Sequence, residues 1–378
     1  MFIILSSKFA GPNICIIVTP IQYCQVYNGS MVHEALAAET ESIHLSAYLF
    51  NVTNIEQFLS GEDHKLKVQE VGPFTYQENR TNDDLEIDTE NETIQYTPKY
   101  KVTFLPEESV GRPEDLEVVM PNISMASKVS TQNYFLKMGF NFLASQLGST
   151  PTVKMSAYDY LWGYDEPLIR LGNQFMPGWI NFAKLGLLDR VSKRVDLLAQ
   201  HSRSRCNSFE DVYEGISYPP EMPVSKPLRI YRSILCRFYP LDFQGMKTTD
   251  YGVEALHYTV SNKTFQKLPE NECLCKNDIC LDGVSDMSPC FYGLPMVLSN
   301  AHFLDADPSI YERVEGMSPS EEEHGSEFLI EPVNLFLLFN LNVLVRDVGF
   351  NSAIRRFSDM LVPVVYVKIV SIFLDVRY

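Results

Sequence analysis

A chain of 378 residues with 45% hydrophobic, 12% aromatic and 21% charged residues has the balance of a globular protein, with material for one large or two ordinary cores. Its 31 Lys and Arg against 48 Asp and Glu leave a net charge of −17, which repels phosphate and excludes generic nucleic-acid binding. Sequons at Asn28, Asn51, Asn79, Asn91, Asn122 and Asn262, together with clustered cysteines, point to an oxidising, glycosylating compartment.

The first stretch, Phe2–Ile21, is apolar but holds Lys8, Gly11, Pro12 and Pro20. It has neither the basic start of a signal peptide nor the roughly 20 unbroken apolar residues of a span. Leu361–Val376 is likewise broken by Pro363, Lys368 and Asp375. The expectation is a soluble protein, or one whose spanning segments lie outside these residues. Residues 43–59 read as a strand passing into a short helix, with Asn54 as its cap. Val68-Gln69-Glu70-Val71 reads as a strand that stops at Gly72-Pro73, and Phe74, Tyr76, Glu78 and Arg80 resume the extended chain. The acidic run Asp83–Glu92 reads as a solvated edge or hairpin turn, since it lacks the regular ligand spacing and turn glycine of a calcium loop. Tyr100–Leu105 alternates as a strand, and Asn122–Leu147 changes to a helical period.

Tyr160-Leu161-Trp162-Gly163-Tyr164-Asp165-Glu166-Pro167 reads as an aromatic strand or turn ending at proline, structural in role. The local positive excess follows: Lys184, Arg190, Lys193, Arg194, Arg203 and Arg205 against Asp189 and Asp196. It reads as a solvated face or as a docking patch for anionic lipid head groups or acidic partners. Cys206, Cys236, Cys273, Cys275, Cys280 and Cys290 favour disulfides over zinc, because the far-apart Cys206 and Cys236 give no second half-site. Six cysteines allow fifteen pairings, and spacing alone does not choose among them. His302 and His324 read as turn and core hydrogen bonding rather than metal or catalytic groups. Asn340–Val345 and Leu361–Tyr366 read as the last strands. The chain holds no Gly-x-Ser-x-Gly elbow, His-Glu-x-x-His helix or phosphate-cradling glycine loop, so an enzyme is not the expectation, although triads assemble across a fold and need no such motif.

The ordered motifs Tyr48–Asn54, Val68–Tyr76, Tyr160–Pro167, Ala301–Pro308, Val314–Pro319, Glu321–His324 and Ile330–Pro332 resemble the class B scavenger receptor ectodomain. The resemblance implies an α+β fold: an antiparallel β-barrel with a helical apical cap and an internal lipid tunnel. It implies an ectodomain over 28–366, a divergent N-terminal remnant over 1–27 and a truncated juxtamembrane end over 367–378. It implies disulfides Cys206–Cys273, Cys236–Cys290 and Cys275–Cys280, and a lipid entrance on the apical helices at Phe135, Met138 and Phe142. The implied ligands are fatty acids, sterols or lipoproteins, with no cofactor and no metal, at the plasma membrane or the lysosomal membrane, with the bulk of the chain extracellular or lumenal. Rival expectations are a receptor for protein or apoptotic-cell ligands without lipid transport, and a soluble lipid-binding glycoprotein. The chain departs from the family pattern by being shorter between Phe175-Met176-Pro177-Gly178 and Phe182, and again after Pro332.

Overall fold

The computed structural model describes residues 3–6, 27–90, 93–129, 134–175, 184–188, 212–213, 228–232, 237–248, 252, 254–274, 281–288, 291, 294–330, 334–346, 348 and 352–371. Within them the protein is mostly β, and its strands are β1 (Ile3–Ser6), β2 (Thr40–Val52), β3 (Leu66–Asp88), β4 (Thr93–Phe104), β5 (Glu117–Pro121), β6 (Thr152–Ser156), β7 (Val212–Tyr213), β8 (Leu228–Arg232), β9 (Arg237–Thr248), β10 (Glu254–Val260), β11 (Ser285–Asp286), β12 (Met296–Ser299), β13 (Val314–Glu315), β14 (Glu327–Ile330), β15 (Asn334–Val345) and β16 (Met360–Ser371). Helices are short: α1 (Met31–Ala37), α2 (Ile55–Ser60), α3 (Ile123–Val129), α4 (Tyr134–Gln146), α5 (Ala157–Trp162), α6 (Pro167–Phe175) and α7 (Glu321–His324).

One curled, largely antiparallel sheet runs β1-β4-β3-β2-β16-β15-β14-β10-β9-β8-β7, and β5 and β6 form a separate hairpin. The centre is β2, β16 and β15. Leu45, Ala47 and Leu49 alternate inward along β2, the period of a strand with one buried face. Leu361–Val367 of β16 and Leu337–Val343 of β15 are buried without alternation, as expected of central strands covered on both faces. Both were legible as strands from their apolar runs. One edge of β15 serves two partners: β14 pairs with Asn334–Phe336, and β12 with Asn340–Val343.

Three local expectations change. The strand does not stop at Gly72-Pro73; β3 runs through them while β2 slips register between Ala47 and Leu49. The slip is a bulge, and it brings the backbones so close that a Cβ on Gly72 would lie 2.7 Å from the Ala47 carbonyl oxygen. Asn54 precedes α2 without capping it through its side chain. Its amide donates to Asp63 Oδ2 (2.7 Å) and to the Lys65 carbonyl (2.9 Å), and its Oδ1 accepts from Lys67 N (2.8 Å), so it fastens the following turn instead. Tyr160–Trp162 of the aromatic segment before Pro167 are helical, because Ser156 Oγ accepts from Asp159 N (3.1 Å) and caps α5, while Tyr164 is extended in a bridge to Leu185.

Candidate functional site

Among the described residues between β5 and β7 are four helices, with α3 against α4, α6 and β15. Asn122 starts α3: its Oδ1 accepts from Met125 N at 3.0 Å, and the residue is 3% exposed. Along α4, Met138 and Phe142 are four residues apart and therefore share a face. They are 52% and 65% exposed, and Leu147 beyond the helix is 40% exposed. Phe135 falls in the first turn of α4, with its side chain outside the described set. Two of the three entrance residues expected from the sequence thus present apolar surface to solvent on one helix.

Below α3 lies a small apolar recess, lined by Ile123, Tyr160, Tyr164, Gly186, Phe291 and Met296 among others. Its interior has room for one water molecule at most. The Tyr160 and Tyr164 rings stack at 5.9 Å, Tyr160 Oη donates to the Pro121 carbonyl (2.9 Å), and Tyr164 and Leu185 exchange backbone hydrogen bonds at 3.0 Å. Gly186 passes so near Trp162 that a Cβ there would lie 2.4 Å from the Trp162 carbonyl carbon. Glu166, two residues after Tyr164, is buried and accepts from Ile169 N (2.9 Å) at the head of α6. Burial pushes its carboxyl above the usual range, against the pull of the Ile169 and Leu168 N–H groups and the Asn122 and Ser124 side chains. Burial and the Glu166 charge also push the Tyr164 phenol far up. Sequence reasoning passed over Glu166; the available signal was an acid directly before a proline at a helix start.

Lys184 is exposed, while Arg190, Lys193 and Arg194 lie outside the described residues. So do Cys206, Cys236, Cys275, Cys280 and Cys290; Cys273 belongs to a described turn, but its side chain does not, and the pairing is therefore outside the described set. The sequons separate by exposure. Asn28 and Asn262 are exposed, Asn51 and Asn79 are half-buried, Asn122 is buried, and Asn91 is outside the described residues. Asn51 Oδ1 accepts from Val119 N (2.7 Å), and Asn79 donates to Glu39 (2.9 Å). Among the described residues no group of three or more His, Cys, Asp or Glu is arranged to hold a metal, and no helix is long and apolar enough to cross a membrane.

A curled antiparallel sheet whose β5–β7 connection carries short helices with an exposed apolar face defines the class that comparison makes specific. The sequence matches the CD36 family over residues 3–198 and 181–377, and the chain belongs to that family. It is 26% identical over 363 residues to the bovine protein named scavenger receptor class B member 1, covering 85% of this chain and 69% of that protein. It is 26% identical over 376 residues to the rat protein named lysosome membrane protein 2, covering 90% of this chain and 77% of that protein.

Proposed function

We propose that this chain is a scavenger-receptor-type lipid receptor, with residues 28–366 as its ectodomain, that takes lipid or lipoprotein at α4 and passes lipid through its interior toward a membrane. The observation that carries the reading is the pair Met138 and Phe142, large apolar side chains left in water on one helix face. Covering them with an acyl or sterol surface removes apolar area from water, at roughly 25 cal/mol per Å². The names of the relatives, scavenger receptor and lysosome membrane protein, support a receptor at the plasma membrane or the lysosomal membrane. Lys184 is exposed, and with Arg190, Lys193 and Arg194 nearby in sequence it offers cations to anionic head groups. The three disulfides Cys206–Cys273, Cys236–Cys290 and Cys275–Cys280 would staple the 206–290 region in an oxidising compartment.

A second reading, docking without passage, is favoured by the narrowness of the recess beneath α3. One experiment separates the two. Cells displaying the chain are given lipoprotein carrying a fluorescent cholesteryl ester, with M138D/F142D alongside. Wild-type uptake that the double variant abolishes supports transport from α4. Binding without uptake leaves docking alone, and undiminished binding by a folded M138D/F142D protein removes α4 from either role.

A further inference from the structure

The excursion from β12 to β14 leaves the edge of β15 opposite Asn340 and returns opposite Phe336. Its two ends are clipped together by His302, just after β12, and His324, just before β14. Their rings stack with centroids 4.1 Å apart. Ser318 N donates to His302 Nδ1 and Ser320 N to His324 Nδ1, each at 3.2 Å. An Nδ1 that accepts a backbone N–H carries no proton, so each neutral ring holds its hydrogen on Nε2. His302 Nε2 accordingly donates to Glu70 Oε2 on β3 at 3.0 Å. The clip also holds unusual backbone: His302 and Phe303 have φ of 50° and 61°, left-handed values that non-glycine residues keep only where their surroundings fix them. His302 N donates to Asn340 Oδ1 (3.4 Å), and the His302 ring meets Phe50 and Tyr366 edge-on.

We propose that this histidine pair is an acid-released latch: protonation of His324 frees residues 317–326 from the sheet and loosens β14. A proton added to His324 Nδ1 sets a donor against the Ser320 N–H, and it places a charge on a buried ring stacked on His302. Among the described residues, charged and phenolic groups face the pair from four elements. Glu70 from β3 and Glu323 from α7 favour the charged form, while the stacked Tyr48 and Tyr366 from β2 and β16 are neutral. Burial, and next the His302 ring, hold His324 below the ordinary histidine value of 6.5. A base whose folded value is depressed leaves stability intact above the unfolded value and removes it as pH falls below, until the folded value is passed. On the far side of β14, His257 Nε2 lies 3.0 Å from Glu327 Oε1, and Lys247 Nζ also reaches that oxygen. The consequence is topological. In the hydrogen-bonded order of the described strands, β14 alone joins β15 to β10, through three residue pairs on its β15 side. Loosening it opens a seam in the curled sheet, whatever the ligand.

Amide hydrogen exchange of the full chain at neutral and mildly acidic pH, corrected for intrinsic rates, tests this. Residues 314–330 lose protection on acidification, by up to about tenfold per pH unit below the ordinary histidine value, while β2 and β3 hold theirs. In H302N/H324N an amide oxygen replaces each Nδ1 as acceptor without titrating, and protection becomes independent of pH. Equal protection of the wild type at both pH values, or the same acid loss in the folded variant, overturns the latch. If that variant does not fold, C2–H exchange of the wild-type histidines reads their titration directly. Titration of His324 that coincides with the loss of protection supports the latch; an opening that occurs while its ring stays neutral, or a titration without opening, overturns it.

Discussion

The central strands and α4 use the same kinds of side chain in opposite ways. On β2, β15 and β16, residues such as Leu49, Phe50, Phe339 and Val365 are buried almost completely, and between them Asn342 Nδ2 donates to Ser299 Oγ (3.0 Å). On α4, Met138 and Phe142 stand in water. Burial makes the first set carry stability, and exposure frees the second for a ligand. Stability and recognition are therefore separable by mutation, and the following outcomes test how cleanly.

The largest effect belongs to the sheet. Phe50 is fully buried and touches the rings of His302 and Tyr366. Phe50→Ala is expected to cost about 3–5 kcal/mol by denaturant unfolding, the usual loss when a buried aromatic leaves a cavity. Where the helices join the sheet the cost shrinks. Asn122→Ala removes the acceptor for Met125 N and is expected to cost about 1 kcal/mol, since a helix cap is worth that much. The same burial makes Asn122 a poor glycan acceptor; intact-mass analysis of enzymatically deglycosylated protein is expected to find Asn28 and Asn262 modified and Asn122 unmodified.

Glu166 adds a dependence on pH. Its folded carboxyl lies above the usual range because burial outweighs the hydrogen bonds it accepts. A raised acid makes its contribution below the unfolded value and loses it as pH rises through the folded value. Glu166→Gln is therefore expected to be more stable than wild type at neutral pH, with the two thermal-melting curves converging on acidification toward about pH 4.5. Curves that diverge on acidification would show that the Ile169 cap, rather than burial, governs the group.

Much of the sheet was readable from the chain, for identifiable reasons. Leu45, Tyr48 and Phe50 signalled β2, and the apolar runs at 340–345 and 361–366 signalled the core of β15 and β16, because burial on one face or two leaves a mark on composition. The errors have equally local causes. Gly72-Pro73 has the chemistry of a stop but sits in a bulge, which only the partner strand decides. Tyr160 and Trp162 have strand propensity, yet Ser156 and Asp159 set a helix start four residues earlier. The stack of His302 on His324 and the burial of Glu166 depend on chain segments brought together by the fold, and no spacing announces them. The helical period at 122–147 located α4 but gave no sign of which of its apolar residues would be exposed.

The smallest stability change is the most informative about use. Met138→Ser and Phe142→Ser remove exposed apolar groups whose side chains fill no core, so each is expected to alter unfolding free energy by no more than about 0.5 kcal/mol. Binding to lipoprotein is expected to fall by roughly tenfold for the pair, the worth of two partly covered side chains at a lipid surface. Unfolding and binding measured on the same preparations decide the matter. A stability loss comparable to that of Phe50→Ala would mean that α4 is held down by these residues and that their exposure is no sign of a docking face. Unchanged stability with weakened binding would leave the helix as a surface shaped for a partner, carried by a sheet that does not need it.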